Sequence, residues 1–297
     1  MLPKILHKVW IGPKTENLSY SDKWLNYFPD HELIIWDNEK ILPYINKLHK
    51  ILEEIPKITF TSACDILRLL ILRDHGGIYM DHDVEVFRDF RHLLIDSECF
   101  LTFQYPQTEE PGKYKTGTSM HNILTNFNDE CFEVSKSLVM DGEVNRGLFI
   151  NSGDYINNCF IASIPKSELI EVAINKWISN YKKSDDERYP MSDWTFGPSS
   201  ITDACNFLGI ILNGRTQYSK KVTVFNRKHL HPLHGSERLY DQELYSNEMI
   251  KYKDESDCYA FHHHTFTNAN EYISSFSDPE NFIKQKYSYY YWIKNEF

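Results

Sequence analysis

The chain has 297 residues, of which 41% are hydrophobic, 25% charged and 14% aromatic, a balance that excludes a disordered segment, a collagen-like repeat and a coiled coil. A formal charge of −10 argues against nucleic acid as a partner, because phosphate backbones are bound by clustered Lys and Arg. No stretch approaches the ~20 apolar residues of a membrane span, Met1-Leu2-Pro3-Lys4 opens without a signal-peptide core, and the six cysteines are scattered with no CxxC pair, so the expected location is a reducing cytoplasm.

The elements follow in chain order. Lys4 to Trp10 reads as a first strand, stopped at Gly12-Pro13, and Glu32 to Trp36 as a second. A short helix is expected around Asp22 to Tyr27. A second helix is expected over 39–52, where Ile41, Ile45, Leu48 and Leu52 recur at helical spacing. Ser62-Ala63-Cys64-Asp65 has the form of a capping box opening a helix. Ile66, Leu67, Leu69, Leu70, Ile71 and Leu72 make that helix apolar nearly all round, so it is expected to be buried. Gly76-Gly77 closes it, and Ile78-Tyr79-Met80 starts a strand that runs into Asp81-His82-Asp83, with Val84 to Phe87 resuming the alternation. Strands are expected at Phe100–Phe103, Gly147–Asn151 and Val222–Phe225, and helices from Pro165 to Lys182 and from Ser199 to Leu208, after Gly197-Pro198. Alternating strands and helices make the class α/β. A core over residues 1–235 with a C-terminal segment over 236–297 is the expected division.

Asp81-His82-Asp83 carries the chemistry. Two carboxylates two residues apart on extended chain project to one side, with Cα atoms about 6.5–7 Å apart. They follow an apolar strand, where α/β folds present groups to ligands. Such a pair suits a hard divalent cation that keeps coordination positions for phosphate oxygens. A solvated acidic turn has the same sequence. His82 points the other way on a regular strand.

The stretch Thr61-Ser-Ala-Cys-Asp-Ile-Leu-Arg-Leu-Leu-Ile-Leu-Arg-Asp-His-Gly-Gly-Ile-Tyr-Met-Asp-His-Asp83 resembles the DxD sugar transferases of glycosyltransferase family 32. That family includes yeast Golgi mannosyltransferases and bacterial capsule enzymes and, more distantly, the clostridial glucosylating toxins. Pro3 to Gly12 is similar to the same family's opening motif. Close similarity covers about residues 2–90.

The resemblance implies a GT-A, Rossmann-like fold with a mixed central sheet and a C-terminal helical segment. It also implies a retaining transfer of a hexose from a nucleotide diphosphate sugar, with UDP-hexose the first donor and GDP-mannose the second. Mn²⁺ or Mg²⁺ is the implied cofactor. The implied acceptor is a saccharide or lipid-linked oligosaccharide, as in surface or capsular polysaccharide synthesis. Trp10 would stack on the nucleotide base, with Ile11 beside it, although Trp10 at a strand end also suits core packing. Asp65 and Arg68, three apart on one helix face, would hold donor-sugar hydroxyls. Tyr79 would flank the ribose, although strand alternation suits a core role equally, Asp81 would meet the ribose and metal-bound water, and Asp83 would ligate the metal.

Tyr259 to Asn268 resembles the family's closing motif and makes His262 and His263 candidate metal ligands. His264 and Asn268 stand where that motif has tryptophans, and a polar histidine loop is the plain alternative. Asn157-Asn158 resembles a middle motif near the donor, or marks a turn. Trp194 to Pro198 resembles a family segment on the acceptor side. His229, His231 and His234 read as a plain loop. The tail over 282–297 mixes lysines with Tyr287, Tyr289, Tyr290, Tyr291 and Trp292, which suits either packing on the core or peripheral contact with the inner face of a membrane. A toxin-like protein glycosyltransferase and a catalytically silent sugar-nucleotide-binding module are the alternatives.

Overall fold

A computed structural model of the chain describes residues 1–11, 20–52, 60–103, 156–183, 193–210, 216–230, 242–255 and 257–263. In order these contain β1 (Ile5–Val9), α1 (Trp24–Tyr27), β2 (Glu32–Trp36), α2 (Leu42–Leu52), α3 (Phe60–His75), β3 (Gly77–Met80), β4 (Val84–Val86) and β5 (Cys99–Phe103). They continue with β6 (Ile156–Ser163), α4 (Glu168–Lys183), α5 (Asp193–Phe207), β7 (Val222–Phe225), α6 (Gln242–Asp254) and β8 (Ala260–His262).

Six strands form one sheet in the order β2-β1-β3-β6-β5-β7. β6 runs antiparallel to both of its neighbours, and the other pairs are parallel. The expected α/β class with a mixed central sheet is therefore borne out. The sheet is buried on both faces, which is why its inner strands read as apolar runs rather than as alternation. Val9, Tyr79, Leu101 and Ile161 pack with α2, α3, α4 and α5 on one face. Leu6, Ile78, Met80 and Phe160 pack on the other with Trp24, Phe28 and Phe90. A second, two-stranded sheet pairs β4 with β8 antiparallel, Val84 opposite His262. Trp24 Nε1 pins it to α1 by donating to the Val84 carbonyl at 2.8 Å.

The turn from α3 to β3 needs its glycines. Gly76 and Gly77 have φ of 63° and 97°, and a Cβ on Gly76 would lie 2.6 Å from Pro165 Cδ and 2.8 Å from the Ser163 carbonyl. Only glycine accepts both the left-handed backbone and that approach.

Several boundaries differ from expectation. α3 already includes Phe60 and Thr61, so Ser62 and Asp65 lie inside the helix and form no capping box. Pro165 precedes α4 by three residues, in the turn packed on Gly76. Gly197 and Pro198 lie within α5 instead of before it. β6 and β8 form strands where a turn and a loop were the plain readings: ladder pairing on both sides of β6 overrides its asparagines. Residues 147–151 lie outside the described residues. No helix among the described residues is long and apolar enough to cross a membrane.

Candidate active site at the end of β3

Parallel strands β1 and β3 both end at one edge of the sheet, and β6, running the other way, begins there. α3 reaches the same edge with its first half, because it leads back into β3 through a two-glycine turn. Asp65 and Arg68 from α3, Asp81 and Asp83 after β3, and Asn158 from β6 therefore converge.

Arg68 is the hub. Its Nη2 lies 3.0 Å from Asp65 Oδ1 and its Nη1 3.0 Å from Asp81 Oδ1. Nη1 also donates to the Asn158 carbonyl at 2.6 Å and Nε to the Cys64 carbonyl at 3.2 Å. Burial opposes the charge of Arg68, but Asp81, Tyr79 and Asp65 outweigh it, so its pKa is raised further. The guanidinium lies over the Tyr79 ring, 4.7 Å from its centroid. Tyr79 OH donates to Asp81 Oδ1 at 2.7 Å. Asn158 Nδ2 donates to Asp65 Oδ1 at 2.6 Å. Arg68 and Tyr79 thus occupy one oxygen of Asp81 and leave Oδ2 facing the histidine from β8.

That histidine is His262. Its Nε2 lies 3.0 Å from Asp83 Oδ1 and 3.8 Å from Asp81 Oδ2. Burial would strip His262 of its proton, but Asp83 and the neighbouring Cys159 hold its pKa well above the usual imidazole value. Asp81, Asp83 and His262 each offer one ligand atom, all within 4.8 Å of one another. Octahedral ligands at 2.0–2.1 Å lie about 3 Å apart when adjacent, which is the Asp83–His262 spacing. Two carboxylates and an imidazole suit Mn²⁺ or Mg²⁺ in donor type, and the negative charge that Arg68 leaves uncompensated favours a cation. The residues fit a divalent ion.

The other candidates are placed differently. His263 faces Glu85, with its Nε2 3.0 Å from Glu85 Oε2, and lies outside the ligand group. That hydrogen bond holds the Glu85 carboxyl below its usual range. The pairing of β8 with β4 separates the two histidines, since successive side chains on a strand point to opposite sides. Tyr79 is 2% exposed, sits beneath Arg68 and donates to Asp81. Asn157 is buried and folds back to accept from the Cys159 amide, leaving Asn158 alone of the pair among these groups. Trp10 is half-buried at the end of β1, edge-on to His82 with ring centroids 4.9 Å apart, and Ile11 packs against the helix-side core. Residues 264–297, including His264, Asn268 and the aromatic tail, lie outside the described residues, as do His231 and His234.

Gly197 was not legible as part of this cluster. A Cβ there would lie 2.0 Å from Asn158 Nδ2 and 2.6 Å from the Asp65 carboxylate, so α5 presses bare backbone against the Asp65–Asn158 pair. The available signal was the resemblance of Trp194 to Pro198 to a family segment, which pointed to the acceptor side instead.

A family model described as a glycosyltransferase sugar-binding region containing the DXD motif matches residues 14–101. Inositol phosphoceramide mannosyltransferase 3 of Schizosaccharomyces pombe is 29% identical over 102 residues, 31% of this chain and 27% of that protein. Inositol phosphoceramide mannosyltransferase 1 of the same yeast is 29% identical over 129 residues, 37% of this chain and 36% of that protein. The chain thus spans between a quarter and two-fifths of the length of these curated relatives. A solved structure titled PaToxG Glycosyltransferase aligns over 85% of this chain and 75% of that one, at 15% identity and a TM-score of 0.37. Residues 14–101, which hold Asp65, Arg68, Asp81 and Asp83, are thus similar to the DXD-containing sugar-binding region of glycosyltransferases.

Proposed function

We propose that the chain moves a hexose from a nucleotide diphosphate sugar to a saccharide or lipid-linked acceptor, with retention of configuration and dependence on a divalent metal. The observation that carries the proposal is the convergence of Asp81, Asp83 and His262 beside the Arg68–Asp65 pair. Asp83, His262 and the free oxygen of Asp81 would hold Mn²⁺ or Mg²⁺. The ion supplies neutralisation of the charge that builds on a departing diphosphate. Arg68 fixes Asp65 and Asp81 in place without reorganisation, as electrostatic catalysis requires. Asp65, held by Arg68 and Asn158 through Oδ1, would present its carboxylate to a sugar hydroxyl. Of the two donors expected from the sequence, the names of the two yeast relatives favour GDP-mannose over a UDP-hexose, and the same names support a lipid-linked acceptor.

A panel of nucleotide sugars screened with and without Mn²⁺ tests this. The expected result is metal-dependent hydrolysis or transfer with one donor. Asp83→Asn should lower that activity at least ~100-fold with the fold intact, since the charge of a ligand is lost. Full activity in Asp83→Asn would overturn the proposal, and so would nucleotide binding with no turnover of any donor, which is the behaviour of a silent binding module. Labelled donor offered to lipid-linked sugars and, separately, to a cell lysate distinguishes a saccharide acceptor from the toxin-like modification of a protein.

A further inference from the structure

His263 adjoins a candidate ligand yet reaches the other way, into the frame around the acidic doublet. Its ring lies flat against Tyr20, with centroids 4.4 Å and planes 6° apart, and Phe261 packs on it at 5.0 Å. Its Nε2 lies 3.0 Å from one oxygen of Glu85, while Lys253 from α6 donates to the other oxygen at 3.1 Å. Its backbone N–H donates to the Asp83 carbonyl at 3.0 Å. The Tyr20 amide in turn donates to the His82 carbonyl at 3.2 Å. One imidazole therefore touches the turn before α1, a strand on each side of the small sheet and, through Glu85, helix α6.

We infer that His263 is a positioning residue: with Glu85 it locks β8 in register on β4 and so sets the distance between the ligand atoms of Asp83 and His262. The inference rests on the metal site proposed above. Its physical basis is the size of the small sheet. β4 and β8 have three residues each, and an isolated two-stranded pair is marginal in water. A slip of one residue on β8 would turn His262 away from Asp83 and bring its neighbour forward. The His263–Glu85 bond, on the opposite side of the strand from His262, opposes that slip.

The test is calorimetric titration of Mn²⁺ into the full chain without nucleotide. Wild type should show a single Mn²⁺ site. His263→Ala should weaken it about tenfold at unchanged stoichiometry, the lower end of what groups supporting metal ligands contribute. His263→Gln, whose amide N–H reaches Glu85 in place of Nε2, should recover most of the affinity. Glu85→Gln, which keeps the shape and loses the charge, should weaken binding several-fold and serves where His263→Ala does not fold. The double variant should bind no more weakly than His263→Ala, because the two side chains act as one unit. Unchanged affinity in His263→Ala or, where that variant does not fold, in Glu85→Gln would overturn the inference. So would a loss that His263→Gln does not restore, since His263 would then be a ligand, or a reduced stoichiometry at unchanged affinity, which marks misfolding alone. Absence of Mn²⁺ binding in wild type would overturn the proposed metal site together with this inference, whereas normal wild-type binding with an unaffected variant removes this inference only.

Discussion

Arg68 shows how much one side chain can be asked to hold. It interrupts the apolar run from Ile66 to Leu72 and is 4% exposed, yet its fork serves two carboxylates and two backbone carbonyls. A planar guanidinium can do this because its donors diverge at fixed angles, and an ammonium cannot. Removing it leaves Asp65 and Asp81 without their counter-charge. Arg68→Met is therefore expected to lower stability by about 3–5 kcal/mol, the range for breaking a buried ion pair from one side. Arg68→Lys should lose less stability and still lose most of the activity. Urea midpoints of the three proteins check this, and a shift under about 1 kcal/mol for Arg68→Met would mean that solvent already screens both pairs.

Among the described elements, α5 is a helix whose placement depends on a missing side chain. Gly197→Ala would drive a methyl group into Asn158 and Asp65. The expected cost is about 1–3 kcal/mol of overpacking together with lost donor turnover, because Asp65 is displaced from Arg68. Thermal melting and donor hydrolysis on the same samples separate the two effects, and a fully active Gly197→Ala would show that α5 can withdraw freely. Sequence pattern disclosed some elements well and others poorly. β1, β2 and β5 were readable because apolar runs bounded by turn residues have few other uses, and the Asp81–Asp83 doublet was readable because a strand was seen to deliver it. β6 was hidden because Asn157 and Asn158 argue locally for a turn, while the ladder partners of the strand lie 53 to 86 residues away in the chain. His262 and His263 looked equivalent side by side. Only the pairing of β8 with β4 sends one to Asp83 and the other to Glu85. Tyr79 could be assigned to a ribose or to the core, and the guanidinium lying over its ring was unreadable from spacing alone.

At the scale of the whole molecule, His7 sets a pH limit on the fold. It is fully buried on β1, with its Nε2 2.7 Å from the Gly76 carbonyl and its Nδ1 accepting from Trp36 Nε1 at 3.1 Å. One nitrogen must donate and the other accept, so the ring is neutral, and burial lowers its pKa to about 4. Because the folded value lies below the unfolded one, this contribution to stability is complete above about pH 6.5 and is lost as pH falls toward 4. Between pH 7 and pH 5 wild type should lose about 2 kcal/mol more than His7→Gln. Without a cation bound, the raised pKa of His262 acts in the opposite sense, which is why the difference between the two proteins is the quantity to measure. Equal pH slopes would release His7 from this role. The pairing of β4 with β8 has a further consequence during synthesis. Acids at 81 and 83 emerge from the ribosome long before the imidazole at 262, so a nascent chain stalled anywhere in that interval carries two of the three candidate ligands and lacks the strand that delivers the third.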